Sequence, residues 1–518
     1  MRRNALYTIL FVLTVVLLAL PAVQQHARLF KFKPLAGVTT DKAQPELSWK
    51  TFMSGQYQQR EDRYLAENIG FREVFIRYYN QFTWSLFQAS QNTSIFVGKD
   101  RWLFNDFVMD HHLGQSVYGY AANDGEMVRK MERDAKMLYQ LQGILEEYGV
   151  SFFVCIAPSK DMVCEDYLPE MKPAKKPRGI LAIDYYPPVF DSLGIHCLNF
   201  SDYFLELKGK VDYPLYLKSS SHWSNQAATL MADTLLRYME SLSGKRLHQL
   251  SFSAPYLAPA REPDHDLEKV LNLVWPVESS QNLYVDAIPV EDSLAVRPKW
   301  LVVGDSYFRG WQYNLPLDRL FTSHHYWRYN STVYDDPLHN NTSEVDLLRE
   351  LLSSDVVTVM YTPCNLFDLN RGFLSKSVLT LSCDERTVER AIKGARQSIV
   401  NTPDWYAKLE QRAAAQGVDV ATAVDDEARY LVYNNPGGYI DALDQMAVPS
   451  QRNPRIPQLL SQLRDVDRER YRQGINGNPQ WLDNIKEQAK KLGMTIDDAI
   501  EMNIDWMLRQ KQVNNENK

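Results

Sequence analysis

Three short apolar runs constrain the fold more than any other feature of this chain. They are "VSFFVCIAP" (Val150 to Pro158), "WLVVGDS" (Trp300 to Ser306) and "VVTVMYTP" (Val356 to Pro363). Each is too short for a core helix and too uniformly apolar for a strand with one wet face. Strands buried on both faces read this way, and they belong to parallel sheets joined by helical crossovers. A fourth run, "GIHCLNF" (Gly194 to Phe200), repeats the pattern. Between the runs lie stretches with apolar residues at helical spacing, over 126–148 and in "HWSNQAATLMADTLLRYMESL", which starts near His222. The alternation predicts an α/β fold, a parallel sheet flanked by helices on both faces. Ligands of such folds bind beyond the carboxyl ends of the strands, and Asp305 and Ser306 stand at one of those ends.

The N-terminus opens with Arg2 and Arg3, and residues 5–23 carry no charge. Nineteen helical residues span about 28 Å, close to the roughly 30 Å of a bilayer core. The segment reads as a signal anchor or a signal peptide. Its length, and the lack of a small-x-small cleavage site after it, favour the anchor. The paired arginines put the N-terminus in the cytoplasm, a signal that Arg28, Lys31 and Lys33 weaken without reversing. The rest of the chain is therefore expected outside the cytoplasmic membrane, or secreted if the segment is cleaved. The expected organisation is 1–23 anchor or signal peptide, 24–50 juxtamembrane linker, 51–385 α/β domain and 386–518 helical domain.

The last segment contains a repeat. Residues 399–431 align without gaps to 475–507, matching Pro403 with Pro479, Trp405 with Trp481, Gly417 with Gly493 and Tyr430 with Trp506. Proline in the first turn and glycine at the end of the first helix predict a helical hairpin in each copy, with the Trp residues in its core.

The net charge is -7 and no basic stripe appears, so a nucleic-acid partner is not expected. Five scattered cysteines lack metal-ligand spacing and read as buried thiols. His324 and His325 are adjacent on a predicted strand and point to opposite faces, so they do not share an ion. Neither a metal nor a cofactor is expected.

Serine is a weak nucleophile unless a base adjoins it. Ser306 ends a buried strand behind Gly304 and Asp305, which can present its hydroxyl at the sheet edge. His222 follows Ser219, Ser220 and Ser221 at a predicted helix start and is the candidate general base. Tyr307, Phe308, Trp311 and Tyr313, with Trp327 beyond, suggest either a sugar-stacking shelf or a local apolar cluster. Tyr307, Arg309, Trp311 and Trp327 are the substrate-binding candidates, Arg309 for an anionic sugar.

"SSHW" (Ser220 to Trp223) upstream of "GDSY" (Gly304 to Tyr307) resembles the paired motifs of the alginate O-acetylation proteins and their DHHW relatives, a circularly permuted branch of the SGNH hydrolase superfamily. "FREVFIRYYN", "VGKDRWLF", "APSKDMVCEDYLP" and "TPCNLFDLNRGF" extend the resemblance over roughly residues 50–380. The resemblance implies an extracytoplasmic O-acetyltransferase or acetylesterase acting on an exported polysaccharide. It implies Ser306 as the acyl-carrying nucleophile, His222 as its base, and backbone donors at Ser306 together with Asn365 as the oxyanion site. A membrane-bound O-acyltransferase would deliver the acetyl group.

The chain departs from the family at one position. The family motif is Asp-Xaa-His-Trp, and Ser220 stands where the aspartate belongs. Ser220 can accept an imidazole N–H but cannot balance an imidazolium. Three readings stay open: a Ser-His dyad, a carboxylate such as Asp202 or Asp212 reaching the ring from elsewhere, or a degenerate scaffold that only binds a glycan or an acyltransferase partner.

Overall fold

The computed structural model describes residues 2–37, 44–114, 125–169, 180–277 and 281–516; residues 38–43 of the expected linker lie outside that set. The apolar runs form a six-stranded sheet from β1 (Ser151–Ile156), β2 (Cys197–Asn199), β3 (Lys299–Gly304), β4 (Ser323–Arg328), β5 (Thr332–Tyr334) and β6 (Val356–Tyr361). The spatial order is β5-β4-β3-β6-β1-β2, parallel throughout except for the β4–β5 hairpin. The fold is thus mixed α/β with a mostly parallel central sheet, an N-terminal apolar helix and a helical C-terminal region.

Two cores explain why the central strands alternate no polar residues. Phe152, Val154, Leu301, Val303, Val357 and Val359 face one layer. Phe153, Cys155, Trp300, Val302, Val356 and Met360 face the other. Thr358 sits in the middle of β6, where its Oγ1 accepts from Trp300 Nε1 at 2.9 Å.

The helices that matter for the site are α1 (Arg2–Ala27), α2 (Arg72–Phe87), α3 (Gly125–Glu147), α4 (Asn225–Ser243), α5 (Asp266–Leu271) and α6 (Arg309–Asn314). α3 covers the first layer and α4 the second. α4 starts at Asn225 rather than at His222, because Ser224 is the residue that caps it, its side chain accepting from Ala227 N–H. His222 is thereby left in the loop before the helix, free of helical geometry. Residues 244–277 and 281–298, between α4 and β3, form two short antiparallel ladders and carry α5 back over that loop.

In the C-terminal region, helices Pro403–Gln416 and Pro479–Leu492 end at left-handed Gly417 and Gly493. Each hairpin has its own small core, against which Trp405 and Trp481 are half-buried. Trp506 and its counterpart Tyr430 are exposed, so the expectation of core tryptophans fails for Trp506. The second core takes in Leu338 from the α/β domain.

Candidate active site

β3 ends at Gly304, where the chain must pass β6 closely: a Cβ on Gly304 would lie 2.1 Å from the Met360 carbonyl oxygen. Asp305 then turns the chain. It is buried, and its carboxylate accepts from Tyr307 N–H at 3.1 Å, Thr362 N–H at 2.8 Å, Thr362 Oγ1 at 2.7 Å and Asn365 Nδ2 at 3.0 Å. Asp305 therefore ties the carboxyl ends of β3 and β6 together and leaves Ser306 facing outward.

His222 Nε2 lies 2.8 Å from Ser306 Oγ. On the other side of the ring, His222 Nδ1 lies 2.8 Å from Asp266 Oδ2. With Nδ1 protonated, the ring donates to Asp266 and accepts the Ser306 hydroxyl proton. The His222 ring leans on Tyr307 with centroids 4.8 Å apart, and the Tyr307 hydroxyl donates to the Ser221 carbonyl at 2.7 Å.

The three serines before His222 bind the segment that brings Asp266. Ser219 Oγ donates to the Asp264 carbonyl at 3.0 Å, and Ser220 Oγ to the Pro263 carbonyl at 2.8 Å. Ser221 donates twice to the Asp266 carboxylate, from its N–H at 2.8 Å and its hydroxyl at 2.5 Å. The first N–H groups of α5, at Leu267 and Glu268, donate to the Ser219 carbonyl. Burial alone would raise the Asp266 carboxyl. The His222 ring and the two Ser221 donors outweigh it and hold the group below the usual carboxylate range.

Lys160 anchors the loop from beneath. It is fully buried, and its ammonium donates to the carbonyls of Leu103, Leu217, Lys218 and Ser220. The stretch leading to His222 is thus pinned by Lys160 below and by α5 above.

A small pocket of about 80 Å³ opens over Ser306 and His222, with Ser159, Tyr329, Thr362 and Cys364 in its wall and the exposed Phe107 at its edge. The Ser306 N–H meets no protein acceptor among the described residues, which suits a carbonyl oxygen placed above it. Desolvation pushes the Cys364 thiol up to about 12, so it is not a competing thiolate.

A serine, an imidazole and a carboxylate in series at the carboxyl edge of a parallel sheet are the parts of an acyl-transfer site. Residues 95–319 match the family model described as the SGNH hydrolase-like domain of the acetyltransferase AlgX. This segment is an SGNH hydrolase-like domain. The matched range lies inside the 50–380 stretch that carries the motif resemblance. Among solved structures, the chain is similar to the O-acetyltransferase domain of Pseudomonas putida AlgJ, with 17% identity and a TM-score of 0.36 over 53% of this chain and 92% of that one. It is similar to Pseudomonas aeruginosa AlgX at 15% identity and a TM-score of 0.35, covering 53% and 66% of the two chains. It is also similar to Bacillus cereus PatB1, in a structure with a sulfonyl adduct, at 14% identity and a TM-score of 0.34, covering 53% and 98%. No curated protein matches the chain.

Within the SGNH-like domain, the structure revises several expectations. Ser220 does not orient the ring. Its Oγ accepts from the His222 backbone N–H at 3.0 Å and is spent on the main chain. Asp202 and Asp212 do not reach the ring either; both are exposed, and Asp202 accepts from Asn199 Nδ2. The carboxylate is Asp266, which the sequence reading missed. Its only signal is an acidic helix start, "PDHDLEK" (Pro263 to Lys269), lying between the two motifs.

Asn365 lines the pocket, but its amide nitrogen donates to Asp305 Oδ2 and Thr362 Oγ1, not into the open space. It supports Asp305 and is not placed as an oxyanion donor. Trp311 and Trp327 are fully buried, and Tyr307 is buried under His222, so none of the three is a stacking platform. Trp311 instead contacts Trp223 with centroids 5.0 Å apart. Gly310 allows this closeness, since a Cβ there would lie 2.5 Å from Trp223 Nε1. Arg309 is half-buried, with its guanidinium over the rings of Tyr313 and Tyr334, 5.3 Å from each centroid. His324 pairs with Asp318 and His325 with Glu350. No group of three or more His, Cys, Asp or Glu that could hold a metal ion occurs among the described residues.

Proposed function

We propose that this chain is a membrane-anchored, extracytoplasmic O-acetyltransferase that modifies an exported polysaccharide through an acyl-enzyme on Ser306. The observation that carries the reading is the unbroken series Ser306 Oγ, His222 Nε2, His222 Nδ1 and Asp266 Oδ2, with 2.8 Å at each hydrogen bond.

In the first half-reaction Ser306 Oγ attacks the carbonyl carbon of the acetyl donor while its proton passes to His222 Nε2. The imidazolium is balanced by Asp266, and the oxyanion sits over the Ser306 N–H. Collapse of the tetrahedral species breaks the bond to the donor, and His222 protonates the departing oxygen or sulfur. In the second half-reaction a sugar hydroxyl gives its proton to His222 and attacks the acetyl-serine. The sugar ester forms and Ser306 is regenerated. Water in place of the sugar gives the esterase reaction.

The small pocket accounts for an acetyl-sized acyl group. Of the aromatic and cationic candidates after Ser306, the exposed Tyr313, stacked under the Arg309 guanidinium, is the one left to meet a sugar. α1 supports the location: it contains an apolar stretch of 23 residues, Ala5–Ala27, of which residues 5–20 are exposed. Because acetyl donors of the cytoplasm lie across the bilayer, a membrane-bound acyltransferase is the partner this reading requires.

The test is turnover of p-nitrophenyl acetate by the purified full chain, with covalent labelling of Ser306 by a serine-directed phosphonate. Activity and labelling that vanish in Ser306→Ala support the reading. Absence of both in the wild type, with glycan binding retained, supports a non-catalytic scaffold.

A further inference from the structure

α2 is amphipathic in the reverse sense of a surface helix. Phe75, Tyr78, Tyr79, Phe82 and Leu86 recur at helical spacing, and each is between 56% and 61% exposed. The polar side faces inward. Gln81 is buried and its Oε1 accepts from the N–H groups of Val274 and Trp275, while Asn80 Nδ2 donates to the Leu271 carbonyl at 2.7 Å. Trp84 anchors the same inner face in a small core with Leu267 and Leu271 of α5. An apolar stripe that large on the outside of a helix marks an interaction surface.

Its position identifies what covers it. α1 stands clear of the fold along residues 5–20 and meets it at its C-terminal end, where a Cβ on Gly70 would lie 2.1 Å from the Pro21 carbonyl oxygen. Gly70 lies two residues before α2, with Phe71 as the cap between them. From that junction a row of rings leads onto the stripe: Phe32 to Phe71 at 5.6 Å and Phe71 to Phe75 at 6.3 Å between centroids. Arg28, Lys31 and Lys33 are exposed beside it. Aromatic rings at the end of an apolar span, flanked by basic side chains, are the composition of a headgroup-level anchor.

We propose that α2 lies in the outer interface of the phospholipid bilayer that α1 crosses, with its Phe75-to-Leu86 stripe among the headgroups and upper acyl chains. The inference rests on the reading of α1 as a retained membrane span. The bilayer then holds the catalytic domain in one attitude. α5 packs on the inner face of α2 and begins with Asp266, so one helix of six residues, about 9 Å long, runs from the triad carboxylate to Leu271, whose carbonyl accepts from Asn80 of α2. That arrangement presents the site to a donor arriving from the membrane.

The test uses the full chain in nanodiscs of phosphatidylethanolamine and phosphatidylglycerol, with p-benzoylphenylalanine replacing Phe75 or Phe82, and replacing the exposed Tyr430 as a control. Intact-mass measurement after illumination is expected to show lipid adducts at positions 75 and 82 and none at 430. No excess over the control, in a chain whose mass retains residues 1–23, overturns the docking inference alone. Adducts at 75 and 82 that are exclusively protein when the experiment is repeated in native membranes overturn it in favour of a protein partner. A mature chain lacking residues 1–23 overturns the span reading on which it rests.

Discussion

Asp266 Oδ2 lies 2.8 Å from His222 Nδ1, although 44 residues separate the two in the chain. The family motif supplies this carboxylate two residues before the histidine; here it arrives on a different segment, clamped by the serines that stand in the motif's place. Under the proposed function this contact has a direct catalytic consequence. Asp266→Asn leaves a hydrogen-bonding group of the same shape but removes the charge that balances the imidazolium. Esterase turnover is expected to fall by about 10⁴, with the far-ultraviolet spectrum unchanged.

The same residue predicts an acid dependence of stability. The folded-state carboxyl of Asp266 is held below its ordinary range, so its contribution is present above that range and is lost as pH falls through the folded value. Thermal unfolding of the wild type and Asp266→Asn should differ at neutral pH, and the gap should close on acidification. A constant gap would mean that the charge is not what Ser221 and His222 recognise.

Restoring the family residue should harm the protein. Ser220 is fully buried, and its hydroxyl donates to the Pro263 carbonyl. In Ser220→Asp a carboxylate would face that carbonyl oxygen with no proton to give. The variant is expected to lose about 1–3 kcal/mol in denaturant unfolding and most of its turnover, because the 263–266 segment that positions Asp266 is displaced. A gain of activity would show that Ser220 is merely a weakened triad member.

Lys160 holds the loop before His222 through three main-chain carbonyls and ties it to Leu103 through a fourth. Lys160→Met fills similar space and donates to none of them. The denaturant midpoint should drop by the equivalent of about 3 kcal/mol or more, and any folded fraction should bind the phosphonate slowly.

The join between the α/β domain and the C-terminal hairpin should be sensitive to alkali. His339 is buried, with Nδ1 2.6 Å from Asp336 and Nε2 3.4 Å from Asp497, and Asp497 also pairs with Arg472. Burial opposes the charge on His339, but the two carboxylates outweigh it and raise the group to about 10. A raised folded value stabilises fully below the unfolded value of about 6.5 and loses that contribution as pH rises toward 10. The melting-temperature difference between the wild type and His339→Gln should therefore be widest near pH 6 and narrow by pH 10.

The sequence by itself determined the central strands, the parallel sheet, the apolar helix at the N-terminus, and Ser306 and His222 as a pair. These features are written locally: an unbroken apolar run can be satisfied only by burial on both faces, and a serine ending such a run stands at the sheet edge. The third member of the series was not legible, because the residue that touches His222 Nδ1 is chosen by how the 244–298 segment folds back, and no periodicity records that path. The aromatic residues after Ser306 show the same limit. Composition identified a cluster, but only packing decided that Trp311 and Trp327 point into the cores while the rings of α2 point out, since a side chain's value as a contact surface depends on which neighbours already cover it.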